Sequence, residues 1–153
     1  MMEKQETRKN PFYDATKSVF KNMLDMDINQ GSQSGKLKPE ENVKVKIDLV
    51  GDLSGAVVYN FPKSTTLNIV KALSGMESDR LDDFATSMLG EMANIISGNA
   101  VTSLSGMDCK CDIKPPQISL SSATSDESPN CVDLLLHSQA GEMREQICLS
   151  HNP

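Results

Sequence analysis

The sequence predicts an α+β fold, a mostly antiparallel sheet covered by helices, with one long helix bearing the functional motif. The first observation behind this is strict alternation: Val43, Val45, Ile47 and Leu49 stand on one side of a run whose other side holds Lys44, Lys46 and Asp48. The second is helical periodicity, longest from Arg80 to about Leu104. The third is order: helix, two strands, two helices, then strands without intervening helices, the pattern of an α+β chain rather than of repeated βαβ units.

Taken in order, Asn10 and Pro11 read as an N-cap and a first-turn proline, and Phe12, Ala15, Val19 and Met23 follow at helical spacing. Residues 29–41 are rich in Gly, Ser and Gln and read as a flexible connection after a tail at 1–9. Residues 51–55 turn the chain between the strand at 43–49 and a second bearing Val57, Tyr59 and Phe61, which makes a hairpin. Pro62 stops it. Ser64 or Thr65 caps a short helix carrying Leu67, Ile69, Val70 and Leu73, which Gly75 ends. Ser78 or Asp79 caps the long helix, whose first turn holds Asp79, Asp82 and Asp83 at the positive end of its dipole, and Gly106 terminates it. Cys109, Cys111 and Ile113 then share the apolar face of a strand, and Ile118 and Leu120 begin another after Pro115 and Pro116. A polar loop at 121–130 precedes two closing strands, Val132, Leu134 and Leu136 going out and Met143, Glu145, Ile147 and Leu149 returning.

A chain of 153 residues fits one domain with a single core. With no Trp and nine Met, that core is built from Leu, Ile, Val and Met. A formal net charge of −6 without a basic patch argues against a nucleic-acid partner and favours protein partners. No apolar run is long enough to span a bilayer, and no signal-type apolar stretch opens the chain. The expectation is therefore a cytoplasmic protein whose four cysteines are reduced thiols. Cys109, Cys111, Cys131, Cys148, His137 and His151 do not match a zinc site, because one residue separates Cys109 from Cys111 where a zinc knuckle has two or more. No phosphate loop or nucleophile elbow is present.

The remaining chemistry lies on the long helix. Ser87, Glu91, Asn94 and Gly98 fall within an arc of roughly 60°, with Phe84, Met88, Leu89, Met92, Ile95 and Ile96 placed on the opposite side. Gly98 costs about 1 kcal/mol relative to Ala and leaves the helix surface low beyond Asn94. A primary amide can hold a water in one orientation without taking its proton, and a carboxylate one turn away can pair with a partner's cation. Glu-x-x-Asn alone is common by chance.

From Gly90 through Glu91, Asn94 and Gly98 to Ala100 the sequence closely resembles the CheX branch of the CheC/CheX/FliY family of bacterial chemotaxis phosphatases. The family pattern is Asp or Ser, three residues, Glu, two residues, Asn, and a Pro about 22 residues on. Ser87, Glu91 and Asn94 match its spacing, and Pro115 or Pro116 matches the proline, short by a residue or two. The resemblance extends from about Val43 over most of the chain, and one motif rather than two looks like CheX. It implies hydrolysis of the aspartyl phosphate of a CheY-like response regulator, with Asn94 positioning the attacking water and Glu91 pairing with a regulator lysine. Ser87 and Gly98 are the accompanying substrate-binding positions. It further implies no cofactor of the chain's own, Mg2+ on the regulator, and a homodimer joined through the sheets. The rival expectation is a non-catalytic module of the same fold that holds a regulator or a flagellar switch component.

Overall fold

A computed structural model describes residues 10–31, 41–121 and 131–152. The tail at 1–9, residues 32–40 of the flexible connection and residues 122–130 of the polar loop lie outside the described residues. Helix α1 (Pro11–Val19) continues into one π-helical turn (Phe20–Leu24), followed by β1 (Asn29–Gln30), β2 (Asn42–Gly51) and β3 (Leu53–Pro62). Helices α2 (Lys63–Ser74) and α3 (Asp83–Ser105) come next, then β4 (Cys111–Ile113), β5 (Gln117–Ser121), β6 (Val132–Ser138) and β7 (Gly141–His151).

The strands form one sheet in the order β1-β6-β7-β3-β2-β4, with β5 also paired to β2, and every described pairing is antiparallel. The alternation in the sequence settles which face is covered. Val43, Val45, Ile47, Val57, Tyr59 and Phe61 are all fully buried, on the face where α3 packs over β2, whereas Lys46 on the other face is exposed. Helix α2 touches β2 and β3 as well, and it is tied to the β6–β7 hairpin: Asn68 donates to the Ala140 carbonyl at 2.8 Å and Thr65 to that of Glu142 at 2.7 Å. The β2–β3 ladder ends at the Leu49–Gly55 pair, so residues 50–54 connect the two strands, close to the expected turn at 51–55. Beyond the Leu49–Gly55 pair the two strands part, and Gly51 pairs with Cys111 of β4 while Leu53 pairs with His151 of β7. At Gly55, φ is +138° and a Cβ would run into the Cys148 carbonyl of β7, so glycine is required there.

Helix ends differ from the expected ones where local signals compete. Asn10 does cap α1, accepting from the Phe12 and Tyr13 amides at 2.9 and 3.3 Å. The π turn then adds a residue to the helical cycle, which turns Phe20 into the core and leaves Met23 39% exposed. Helix α2 starts at Lys63 behind Pro62 and has no side-chain cap. Helix α3 begins at Asp83, later than expected, because Asp82 accepts from the Ala85 amide at 2.9 Å. Ser78 closes a local turn with the Arg80 amide instead. Gly106 ends α3 in a right-handed conformation, and the left-handed residue is Asp108.

Two corrections concern the sheet. Asn29 and Gln30, expected in a flexible connection, pair with His137 and Leu136 of β6, a two-residue edge strand held through its backbone. Cys131 and Cys148, expected as reduced thiols, form a disulfide. Val132 pairs with Ile147, so Cys131 falls next to Cys148 across the two strands. Cys109 and Cys111 are free, and Cys111 is buried at the start of β4. Cys109 is only half-buried and precedes the strand, so the two thiols are not the matched pair the alternation predicts.

Candidate functional site

Helix α3 crosses the sheet with Ala85, Leu89, Met92, Ala93, Ile96 and Ala100 turned inward. Small residues on its underside allow close approach. A Cβ on Gly90 would collide with the side chain of Ile118 in β5, so glycine here lets strand and helix touch. Ser97, fully buried, meets the Tyr59 hydroxyl of β3 at 2.8 Å. That hydrogen bond ties the helix to the sheet one turn past Asn94 and fixes its rotation.

The rotation displays the polar stripe. Ser87 and Glu91 are exposed, and Asn94 and Gly98 are half-buried on the same side of the helix. Among the described residues no side-chain hydrogen bond or ion pair engages Glu91 or Asn94, which leaves a carboxylate and a complete amide to an incoming group. Among the described residues a Cβ on Gly98 would meet no atom within 4 Å, so none of them requires glycine there. Pro115 and Pro116 lie between β4 and β5.

The placement of apolar residues around the stripe needs correction, since at 100° per residue Phe84 and Ile95 already fall within about 40° of Glu91. Phe84, Met88 and Ile95 were expected opposite the stripe, but Phe84 is 49% exposed and the other two are half-buried beside the core. The covered face is centred on Leu89, Ala93 and Ile96, so these three apolar side chains flank the polar stripe instead. The sequence reading also missed Ser97 and Gly90. Gly90, Ala93 and Ser97 form a stripe of small residues, the signal that marks where a helix is approached closely.

A second polar cluster lies in the core below. Glu145 of β7 is fully buried, pairs with Tyr59 across the ladder and contacts Thr16 of α1. Burial pushes its carboxyl up to about 8, against the opposing hydrogen bond with Thr16. The Thr16 hydroxyl also lies 2.8 Å from the Phe12 carbonyl, and its one proton cannot serve both acceptors. A protonated Glu145 resolves this, donating to Thr16 while Thr16 donates to Phe12. Burial, and then Glu145 itself, likewise raise the Tyr59 phenol well above its usual range, with the Ser97 hydrogen bond opposing. Both groups are neutral at neutral pH and hold the core without offering chemistry to solvent.

No three His, Cys, Asp or Glu side chains converge as a metal site among the described residues. None of their helices is long and apolar enough to cross a membrane.

Comparison with known proteins bears on the family and the fold. The sequence model of the family described as chemotaxis phosphatase CheX matches residues 43–133. The CheY-P phosphatase CheX of Thermotoga maritima is 34% identical over 108 residues, covering 66% of this chain and 69% of that protein. Among solved structures, CheX from Vibrio vulnificus superposes with a TM-score of 0.81 at 21% identity, over 93% of this chain and 95% of that one. The CheX–CheY–BeF3–Mg2+ complex from Borrelia burgdorferi gives a TM-score of 0.67 at 26% identity, over 92% and 96%.

Proposed function

The chain belongs to the CheX family of chemotaxis phosphatases, and we propose that it hydrolyses the aspartyl phosphate of a CheY-like response regulator, with Asn94 orienting the attacking water and Glu91 docking the regulator. The observation that carries the site assignment is the pairing of an exposed carboxylate with an unengaged amide one turn apart, on a helix whose rotation is fixed from below. The relative from Thermotoga maritima is named a CheY-P phosphatase, and the Borrelia burgdorferi complex joins CheX to CheY with BeF3 and Mg2+, which supports a regulator as partner and a metal that comes with it.

In this reading the water oxygen bonds to phosphorus as the acyl-phosphate P–O bond breaks. The regulator's aspartate is regenerated as carboxylate, and the water's proton leaves with inorganic phosphate. Asn94 contributes position: its carbonyl accepts from the water, and its NH2 donates to a phosphoryl oxygen. It does not act as a base. Glu91 pairs with a regulator lysine and sets the register in which the amide enters. Ser87 borders the stripe on the N-terminal side, and Gly98 leaves clearance for the regulator's backbone. The resting assembly in this proposal is a homodimer joined through the exposed sheet faces, which sedimentation at micromolar concentration measures.

Asn94→Ala should slow phosphoregulator decay by roughly 10²–10³ relative to the unmodified protein, the scale of one lost preorganised hydrogen bond, while binding of a beryllofluoride-loaded regulator persists. An unchanged decay rate would remove the catalytic role and favour the non-catalytic module.

A further inference from the structure

We propose that Phe84 is the apolar anchor of the regulator-docking surface, seated in an apolar pocket of the phosphorylated regulator, with Met88 and Ile95 continuing the contact along α3. The inference rests on the regulator-phosphatase reading above. Its starting point is an imbalance in the aromatic residues. Of the four phenylalanines, Phe12, Phe20 and Phe61 are 0–2% exposed, whereas Phe84 is 49% exposed in the first turn of the motif helix. A half-exposed phenyl ring there adds nothing that a better helix former would not supply.

Its place on the helix supplies the reason. Phe84, Met88, Glu91 and Ile95 follow at i, i+4, i+7 and i+11, a single row within an arc of about 60°. Phe84 stands roughly 15 Å along the axis from Asn94. A protein interface of standard size covers about 800 Å² per partner, a disc of roughly 16 Å radius. A regulator with its phosphate at Asn94 therefore lies over Phe84 unless it is tilted wholly toward the other end of the helix. Charge narrows the chemistry of the opposing patch. Asp83 beside Phe84 and Glu91 in the same row are both exposed carboxylates, so the complementary surface is an apolar pocket bordered by lysine or arginine. Aromatic anchors in such pockets carry a disproportionate share of binding energy, and because their contact is apolar, added salt does not screen it.

Steady-state decay of a phosphorylated CheY-type regulator, run with the unmodified protein, Phe84→Ala, Phe84→Leu and Asn94→Ala, tests this. Phe84→Ala should raise KM by about tenfold or more at nearly unchanged kcat. The increase should be the same at low and high salt, and Phe84→Leu should recover most of the affinity. Asn94→Ala should show the opposite split, with kcat lost and KM held. A normal KM for Phe84→Ala beside an inactive Asn94→Ala overturns the anchor and leaves the phosphatase reading standing. Failure of the unmodified protein to accelerate decay of any phosphorylated regulator overturns both. Sedimentation of the Phe84 variants distinguishes the other occupant: a dimer that dissociates in Phe84→Ala assigns this face to a second copy and overturns the regulator contact.

Discussion

Glu145→Gln isolates the one buried acid among the described residues, and its effect on stability should depend on pH in a way no surface change imitates. In the folded protein the carboxyl is held at about 8, against an ordinary 4.5, chiefly because burial penalises the charge. The folded state therefore binds this proton more tightly than the unfolded state. Its contribution is fully present below pH 4.5, is lost progressively as pH rises, and is exhausted above about pH 8. At about 1.36 kcal/mol for each tenfold in proton affinity, the loss over that window amounts to roughly 5 kcal/mol. Glutamine matches the neutral acid in shape and can still donate to Thr16, yet it cannot ionise. Urea unfolding of the two proteins in parallel from pH 5 to 9 should thus give curves that nearly coincide at pH 5. They should diverge to an advantage of about 3–5 kcal/mol for Glu145→Gln at pH 8, then run parallel. The other titrating groups are common to both proteins and cancel in the difference, and Tyr59 ionises above this window. A stability difference independent of pH would refute the assignment of a neutral, desolvated carboxyl.

Two further outcomes concern the displayed face. Glu91→Gln should weaken binding of a beryllofluoride-loaded regulator at low salt, the deficit should shrink as salt is added, and melting temperature should hardly move because the side chain is exposed; titration calorimetry at two ionic strengths measures this. Gly98→Ala should raise stability by about 1 kcal/mol, since a Cβ there meets nothing within 4 Å, while raising KM for the phosphoregulator if the low surface is clearance for the partner. A stabilised variant with unaltered KM would show that the clearance is not used.

What the sequence by itself determined is what short-range pattern encodes. Val43, Val45, Ile47 and Leu49 face the core because side chains alternate with period two along any strand, and that period needs no knowledge of neighbours. Glu91 and Asn94 share a helix face for the same kind of reason, three residues being close to one turn. The tertiary structure decided everything that depends on what lies opposite. Phe84 and Ile95 fall within about 40° of Glu91 by helical period alone, but how far each is covered is set by the seating of α3 through Ser97 and Tyr59, with β5 against Gly90. The π turn after Val19 moved Met23 outward by inserting a residue that no periodicity announced. Register between β6 and β7 brought Cys131 to Cys148, although they stand 17 positions apart in sequence, because strand pairing is set by the whole ladder and the turn that closes it. Glu145 lies on the covered face by alternation, as the sequence shows. That it is dry, protonated and bonded to Thr16 follows only from α1 closing over β7, since the free energy of a buried charge depends on which element excludes the water.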